Sequence, residues 1–364
     1  MTQAPPPRPK LLDRVTSRTI DEVEVVASVM LAIAVAHWLG AANVYWAAFA
    51  GYMVMRGHAG ETLVRGLLRI AGTCAGGLLA LAAAPFLGWW PAAAAALFLV
   101  GGTALYGAIT AKRSYAWLFF GLTFAMVVLD KLAHPNVTLA SFVETRVLET
   151  VAGTLACVAV SLASTLTLRR RWPATPAPRP AGLGWRPDAA RHALQGATAL
   201  ALLVGLSTWV HLPALPQAAI GIMAVMFVPA DSIGASGLMP VSRRLVQRFL
   251  GCLAGAGLAA VFLFVAQGSA ALLILGTMIG VVIGKHLENG DPAHRYVGTQ
   301  FALAILIVLV PDSYADAEIG PALMRLAGVL IGFAVLEPVL LAWHGIAPRR
   351  QVSAQSNGDG AGDI

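Results

Sequence analysis

Between residues 24 and 343 the chain is a close succession of apolar runs separated by short polar turns. A helix of about 20 apolar residues is what crosses the hydrocarbon core of a bilayer, so this patterning leaves room for little except membrane helices. Charged residues make up 12% of the chain and hydrophobic residues 58%, against roughly a quarter charged in soluble domains. The fold class expected is all-α, a polytopic membrane protein.

Twelve spans are expected, at about 24–40, 43–56, 66–88, 90–110, 114–132, 142–168, 190–210, 214–230, 245–267, 269–285, 295–311 and 318–343. The second is short for a full crossing. Residues 1–22 are polar, Pro-rich and basic, without the apolar core and cleavage site of a signal peptide, and are expected to form a cytoplasmic tail. Residues 169–187, RRRWPATPAPRPAGLGWRP, cannot continue a helix through their prolines and glycines and divide a first six-helix unit, 23–168, from a second, 188–346. A second cytoplasmic tail, 347–364, follows. With the N-terminus inside, only Lys131, Arg146 and Arg325 of the 25 basic residues fall outside the cytoplasmic set, as the positive-inside rule requires. The net charge of +7 therefore reads as topology, and a nucleic-acid partner is not expected.

Six spans per unit means that both units begin inside, so they are expected to be parallel repeats related by an axis along the membrane normal. An offset of 179 places Arg69 on Arg248, Gly72 on Gly251, Gly76 on Gly255, Arg146 on Arg325 and Gly153 on Gly332. The pattern R-x-x-G-x-x-x-G occurs three times, at Arg69, Arg248 and Arg325. At the fourth place, after Arg146, Glu149 stands where Gly328 stands in the second unit. Glycines four apart share one helix face and let two backbones approach, so Gly72, Gly76, Gly251, Gly255, Gly328 and Gly332 are read as packing residues. That reading also disposes of GAGLAA at Gly255 as a dinucleotide fingerprint, since no strand precedes it.

An arginine inside a bilayer normally snorkels, pairs or lines a pathway. Arg69 and Arg248, about one turn into their expected spans, read first as interfacial anchors and second as anion-pathway residues. Arg146 and Arg325 lie near the outer ends of spans six and twelve, where topology does not call for them, and are candidates to bind an anion. For Arg146 an i,i+3 pair with Glu149 competes. Glu149 and Glu337 are candidate proton carriers, because a desolvated carboxylate gains proton affinity; a salt bridge to a neighbouring helix competes, and for Glu337 so does a local break at Pro338. Cys74, Cys157 and Cys252 show no metal or disulfide spacing and read as packing residues. No cofactor or metal is expected.

The run YWAAFAGYMVMRGHAGETLVRGLLRIAGTCAGGLLALA, residues 45–82, resembles the signature of the fusaric acid resistance, or aromatic acid exporter, family. The second unit has a weaker version in LPQAAIGIMAVMFVPAD and RRLVQRFLGCLAGAG, and spans six and twelve resemble the closing helices of the family's six-helix units. The resemblance implies a bacterial inner-membrane exporter of weak organic acids, typically aromatic carboxylates, in some systems working with a periplasmic adaptor. Related plant proteins are dimeric anion channels, so a fused pair of units would be a pseudo-dimer and a homodimer stays open. Many members carry a large cytosolic domain; here the linker is 19 residues long. Facing units would bring Arg146 and Arg325 together in the outer part of a central pathway. The alternatives are a passive organic-anion channel and a scaffold that transports nothing. An enzyme is not expected, as neither H-E-x-x-H nor G-x-S-x-G occurs.

Overall fold

A computed structural model describes residues 11–346 apart from 135–137, 176–181, 183, 211, 213 and 235–236. Much of the expected N-terminal tail, the middle of the linker with Arg179, and the C-terminal tail with Arg349 and Arg350 lie outside the described residues. Every regular element among the described residues is helical. The helices are α1 (Leu11–Trp38), α2 (Val44–Val54), α3 (Ala59–Ala83), α4 (Trp90–Thr110), α5 (Ser114–Ala133) and α6 (Leu139–Leu166). A four-residue α7 (Leu168–Arg171) follows, then α8 (Pro187–Ser207), α9 (Leu215–Met226), α10 (Leu238–Ala266), α11 (Ala270–Glu288), α12 (Arg295–Leu309) and α13 (Gly320–Ile346).

Each expected span coincides with a helix, but seven of these, α3 to α6, α10, α11 and α13, are long and apolar enough to cross a membrane. The protein is a polytopic, all-α membrane protein. The other five fall short for physical reasons. α2 and α9 have 11 and 12 residues, which at about 1.5 Å per residue reach roughly half of a hydrocarbon core; α12 has 15. α1 and α8 carry polar first turns. α1 starts at Leu11 rather than near 24, because the turns holding Asp21 and Glu24 face a partner: Arg169 of α7 binds Asp21 and Glu24, each at 2.5 Å. Ser164 donates a hydrogen bond to Glu24 as well. Burial alone would lower the Arg169 pKa, but the hydrogen bonds it donates to Glu24 and Asp21 outweigh it and raise the group above its usual value.

The packing repeats with the sequence. α3 lies along α5 and α6, as α10 lies along α12 and α13, and α2 packs on α6 as α9 packs on α13. Between the halves, α4 packs on α8 and α11 on α1, while α5 meets α9 and α12 meets α2. The two largest hydrophobic cores among the described residues are centred on α4, α5, α8 and α9 and on α1, α2, α11 and α12. Each draws on both halves, so neither half closes its core without the other.

The glycine steps explain the tightest of these contacts. A Cβ on Gly72 would lie 2.3 Å from the Ala116 carbonyl oxygen, and one on Gly251 would lie 2.6 Å from that of Val297. Gly76 and Gly255 meet the carbonyls of Phe120 and Phe301 in the same way, at 2.3 and 2.5 Å. No side chain fits where backbone meets backbone at that distance. Ala116 thus corresponds to Val297 and Phe120 to Phe301, an offset of 181: the second half holds two more residues between its third and fifth helices than the first, with the same packing.

Candidate functional site: a buried layer of arginines

α3 begins at Ala59 and α10 at Leu238, so Arg69 and Arg248 stand nearly three turns inside their helices rather than one. Their side chains are buried, with 3% and 2% relative exposure. This corrects the reading of both as interfacial anchors, since neither head group reaches a surface. The early helix starts carried the error, because charges near those starts, Glu61 and Arg65 in α3 and Arg243 and Arg244 in α10, lower the local hydropathy.

Each half brings its two arginines together. In the first, Arg69 and Arg146 line a small cavity of about 50 Å3 with Trp46, Phe119, Glu149 and Ile220. Arg69 donates to the Tyr115 hydroxyl at 3.3 Å, and its guanidinium lies 4.0 Å from the centre of the Phe119 ring. Arg146 pairs with Glu149, with nitrogen to oxygen distances of 2.8 and 2.6 Å. In the second half, Arg248 and Arg325 donate to one acceptor, the Gln300 side-chain oxygen, at 2.7 and 3.1 Å. Cys252 Sγ accepts from Arg325 Nε at 3.4 Å, a contact beyond the packing role expected of it.

Arg146 and Arg325 therefore each meet the arginine of their own half instead of each other. Two rings stand between them. Arg146 lies 4.7 Å from the centre of the Trp46 ring, Trp46 and Phe49 are 5.1 Å apart edge-on, and Arg325 lies 5.7 Å from Phe49. Cationic groups over aromatic faces recover part of the hydration lost on burial, by about 0.5 to 2 kcal/mol each.

The charge balance of this layer is lopsided. Four buried guanidiniums face one buried carboxylate, Glu149. Arg69 Nε, Arg146 Nε and Nη1, and Arg248 Nε and Nη2 have no hydrogen-bond partner. Buried charges that lack partners are costly, and an arrangement that leaves several donors open suits a multivalent acceptor such as a carboxylate. Among the described residues, no group of three or more metal-ligating side chains occurs.

Glu337 lies outside this layer. α13 runs unbroken through Pro338, and Glu337 accepts from Ser242 of α10 at 2.7 Å, leaving its second oxygen unpartnered. Two further arginines, which the sequence reading passed over, have an architectural task. Arg65 Nε donates to the Met53 carbonyl at 3.1 Å, and Arg244 to that of Phe227. They satisfy the open carbonyls at the C-terminal ends of the short helices α2 and α9, where cations are favoured.

Gln300, Tyr115 and Tyr296 were also missed. Tyr115 and Tyr296 each follow a basic turn closely, after Arg113 and Arg295, and match at the offset of 181. A search that allowed the fifth helix to slip by two residues would have exposed them.

The fold and this layer define a polytopic helical membrane protein with a cationic interior. The sequence profile of the family described as "Fusaric acid resistance protein-like" matches residues 31–160 and 200–336, which is most of the chain and one stretch in each half. The chain belongs to that family. Comparison with curated proteins and with solved structures finds no match.

Proposed function

We propose that the protein exports weak organic anions, aromatic carboxylates foremost, across a bacterial inner membrane. On this reading it is two parallel six-helix units with both termini in the cytoplasm, in which α2 and α9 serve as half-helices beside the pathway. It acts without a cofactor and is not an enzyme. The observation that carries the reading is the arginine layer: four buried guanidiniums against one carboxylate, with five nitrogens open to a ligand. Family membership supports it.

Arg248 and Arg325 are the principal anion-binding residues of this proposal, because the two converge on one neutral acceptor, Gln300, with no carboxylate beside either among the described residues. Arg69 and Arg146 assist. Glu149, the one acid inside the layer, is the first group to test for proton coupling, and Glu337 the second.

The test is flux of labelled 4-hydroxybenzoate from proteoliposomes with and without a pH gradient, comparing the unmodified protein with Arg248→Gln plus Arg325→Gln. Saturable, gradient-dependent flux that falls at least tenfold in a folded double variant supports the exporter. Flux indifferent to the gradient supports a passive channel instead. No flux for this or other weak acids leaves the scaffold, and the export reading is then wrong.

A further inference from the structure

The two halves differ at the end of the bundle where the α2–α3 and α9–α10 turns lie. In the first half Arg65 and Tyr115 close on each other, and the cavity of about 560 Å3 at the α2–α3 turn is charge-balanced, with Asp21, Glu24, Glu61 and Glu288 set against Arg18, Arg56, Lys285 and Arg295. The Arg65 guanidinium lies 3.7 Å from the centre of the Tyr115 ring, and Arg69 holds the Tyr115 hydroxyl. In the second half the same parts stand apart. Arg244 is 5.1 Å from the Tyr296 ring centre, and the Tyr296 hydroxyl is buried without a partner. Between them opens a cavity of about 790 Å3, lined by Arg243, Arg244, Gln247, Arg295 and Tyr296 among others. That volume lies in the range of small-molecule sites.

Charge favours an anion there. The two acids that border the cavity are already engaged. Glu288 accepts from the Tyr52 hydroxyl at 2.7 Å and pairs with Lys285 at 3.3 Å. Asp291 accepts from the Ala293 amide at 2.8 Å and lies 3.8 Å from His294. The three lining arginines outnumber the two lining acids, so the net field in the cavity is positive. Tyr296 leads inward on the same helix to Gln300, one turn further along α12 and the shared acceptor of Arg248 and Arg325.

We propose that the second half alone carries the loading site for the transported anion: a carboxylate enters the α9–α10 and α11–α12 cavity, drawn by Arg243 and Arg295. It takes the hydrogen bond that the Tyr296 hydroxyl leaves open, and passes from Arg244 to Arg248 and Arg325. The inference rests on the anion-export reading and adds to it the entrance and the half that is used. The ligand class is an aromatic monocarboxylate.

Two measurements on the full chain test it. The first is equilibrium binding of labelled benzoate, salicylate and 4-hydroxybenzoate to protein in nanodiscs. The second is the concentration dependence of 4-hydroxybenzoate flux from the face that holds the cavity. Arg243→Gln plus Arg295→Gln is compared with Lys112→Gln plus Arg113→Gln, which removes the same charge from exposed positions at the matching turn of the first half. The second-half pair is expected to weaken binding and raise the half-saturating concentration about tenfold, with the maximal rate within twofold; the first-half pair changes either by less than twofold. Tyr296→Phe, which removes one hydroxyl, is expected to weaken binding three- to tenfold. Equal effects of the two arginine pairs, or no effect of Tyr296→Phe, overturn the site. Binding that behaves as expected with no flux in the unmodified protein keeps the site and overturns export. Absence of binding by all three acids overturns the site itself.

Discussion

The two halves share a plan and differ in what surrounds their arginines. Where the first half has Phe119 under Arg69, the second has Gln300 hydrogen-bonded to Arg248. Where the first has Glu149 paired with Arg146, the second has Gly328, and Arg325 is left with Gln300 and Cys252. Gly328 has its own steric reason: a Cβ there would lie 2.5 Å from the Gln217 side chain, so close approach of α13 and α9 excludes an acid at that place. A duplicated unit can thus divide labour. One copy pairs its outer arginine with an acid, and the other sets both of its arginines on a neutral amide.

The largest expected effect probes the shared plan. A Cβ on Gly153 would lie 2.3 Å from the Ala47 carbonyl oxygen, whereas one on the matching Gly332 would lie 3.1 Å from that of Ala218. Gly153→Ala is expected to abolish the monodisperse peak in size-exclusion chromatography. Gly332→Ala should leave it and lower the unfolding temperature only slightly. Equal behaviour would mean that the sixth helices of the two halves are packed alike.

Next come the outer arginines. Arg146→Gln strands Glu149 in a buried site and is expected to cost about 3 kcal/mol of stability, with Glu149→Gln added in the same chain recovering most of it. Arg325→Gln strands no acid; stability should change by less than about 1 kcal/mol while flux falls at least tenfold. Thermal unfolding beside flux separates the two. If Arg325→Gln were the more destabilising, the division between framework and pathway would fail.

A change of opposite sign sharpens the comparison. Gln300 competes with an incoming carboxylate for Arg248 and Arg325. Gln300→Leu is expected to lower stability by about 1 to 3 kcal/mol and yet tighten carboxylate binding severalfold, measured by equilibrium binding. The smallest effect belongs to Arg65→Gln, which uncaps α2 and should cost about 1 kcal/mol in an unfolding titration.

Much of this was legible from sequence, because it depends on local properties. Span placement follows from hydropathy over some twenty residues. The offset of 179 and the glycine steps follow from spacing along single helices, and the Arg146–Glu149 pair from i,i+3 geometry. All four arginines were singled out as candidates on that basis.

Their depth and company were decided by tertiary structure. Arg69 and Arg248 sit deep because α3 and α10 start early, in turns whose polar residues find partners on other helices. Arg325 meets Arg248 on Gln300, and Trp46 and Phe49 separate it from Arg146, because of how α2, α12 and α13 pack together. Sequence alone determined a polytopic helical protein carrying arginines at two pairs of positions matched by one offset, since hydrophobic length and residue spacing are written along the chain. Which side chains meet the inner arginines was decided by packing between helices, which sets Phe119 against Arg69 and Gln300 against Arg248 and Arg325.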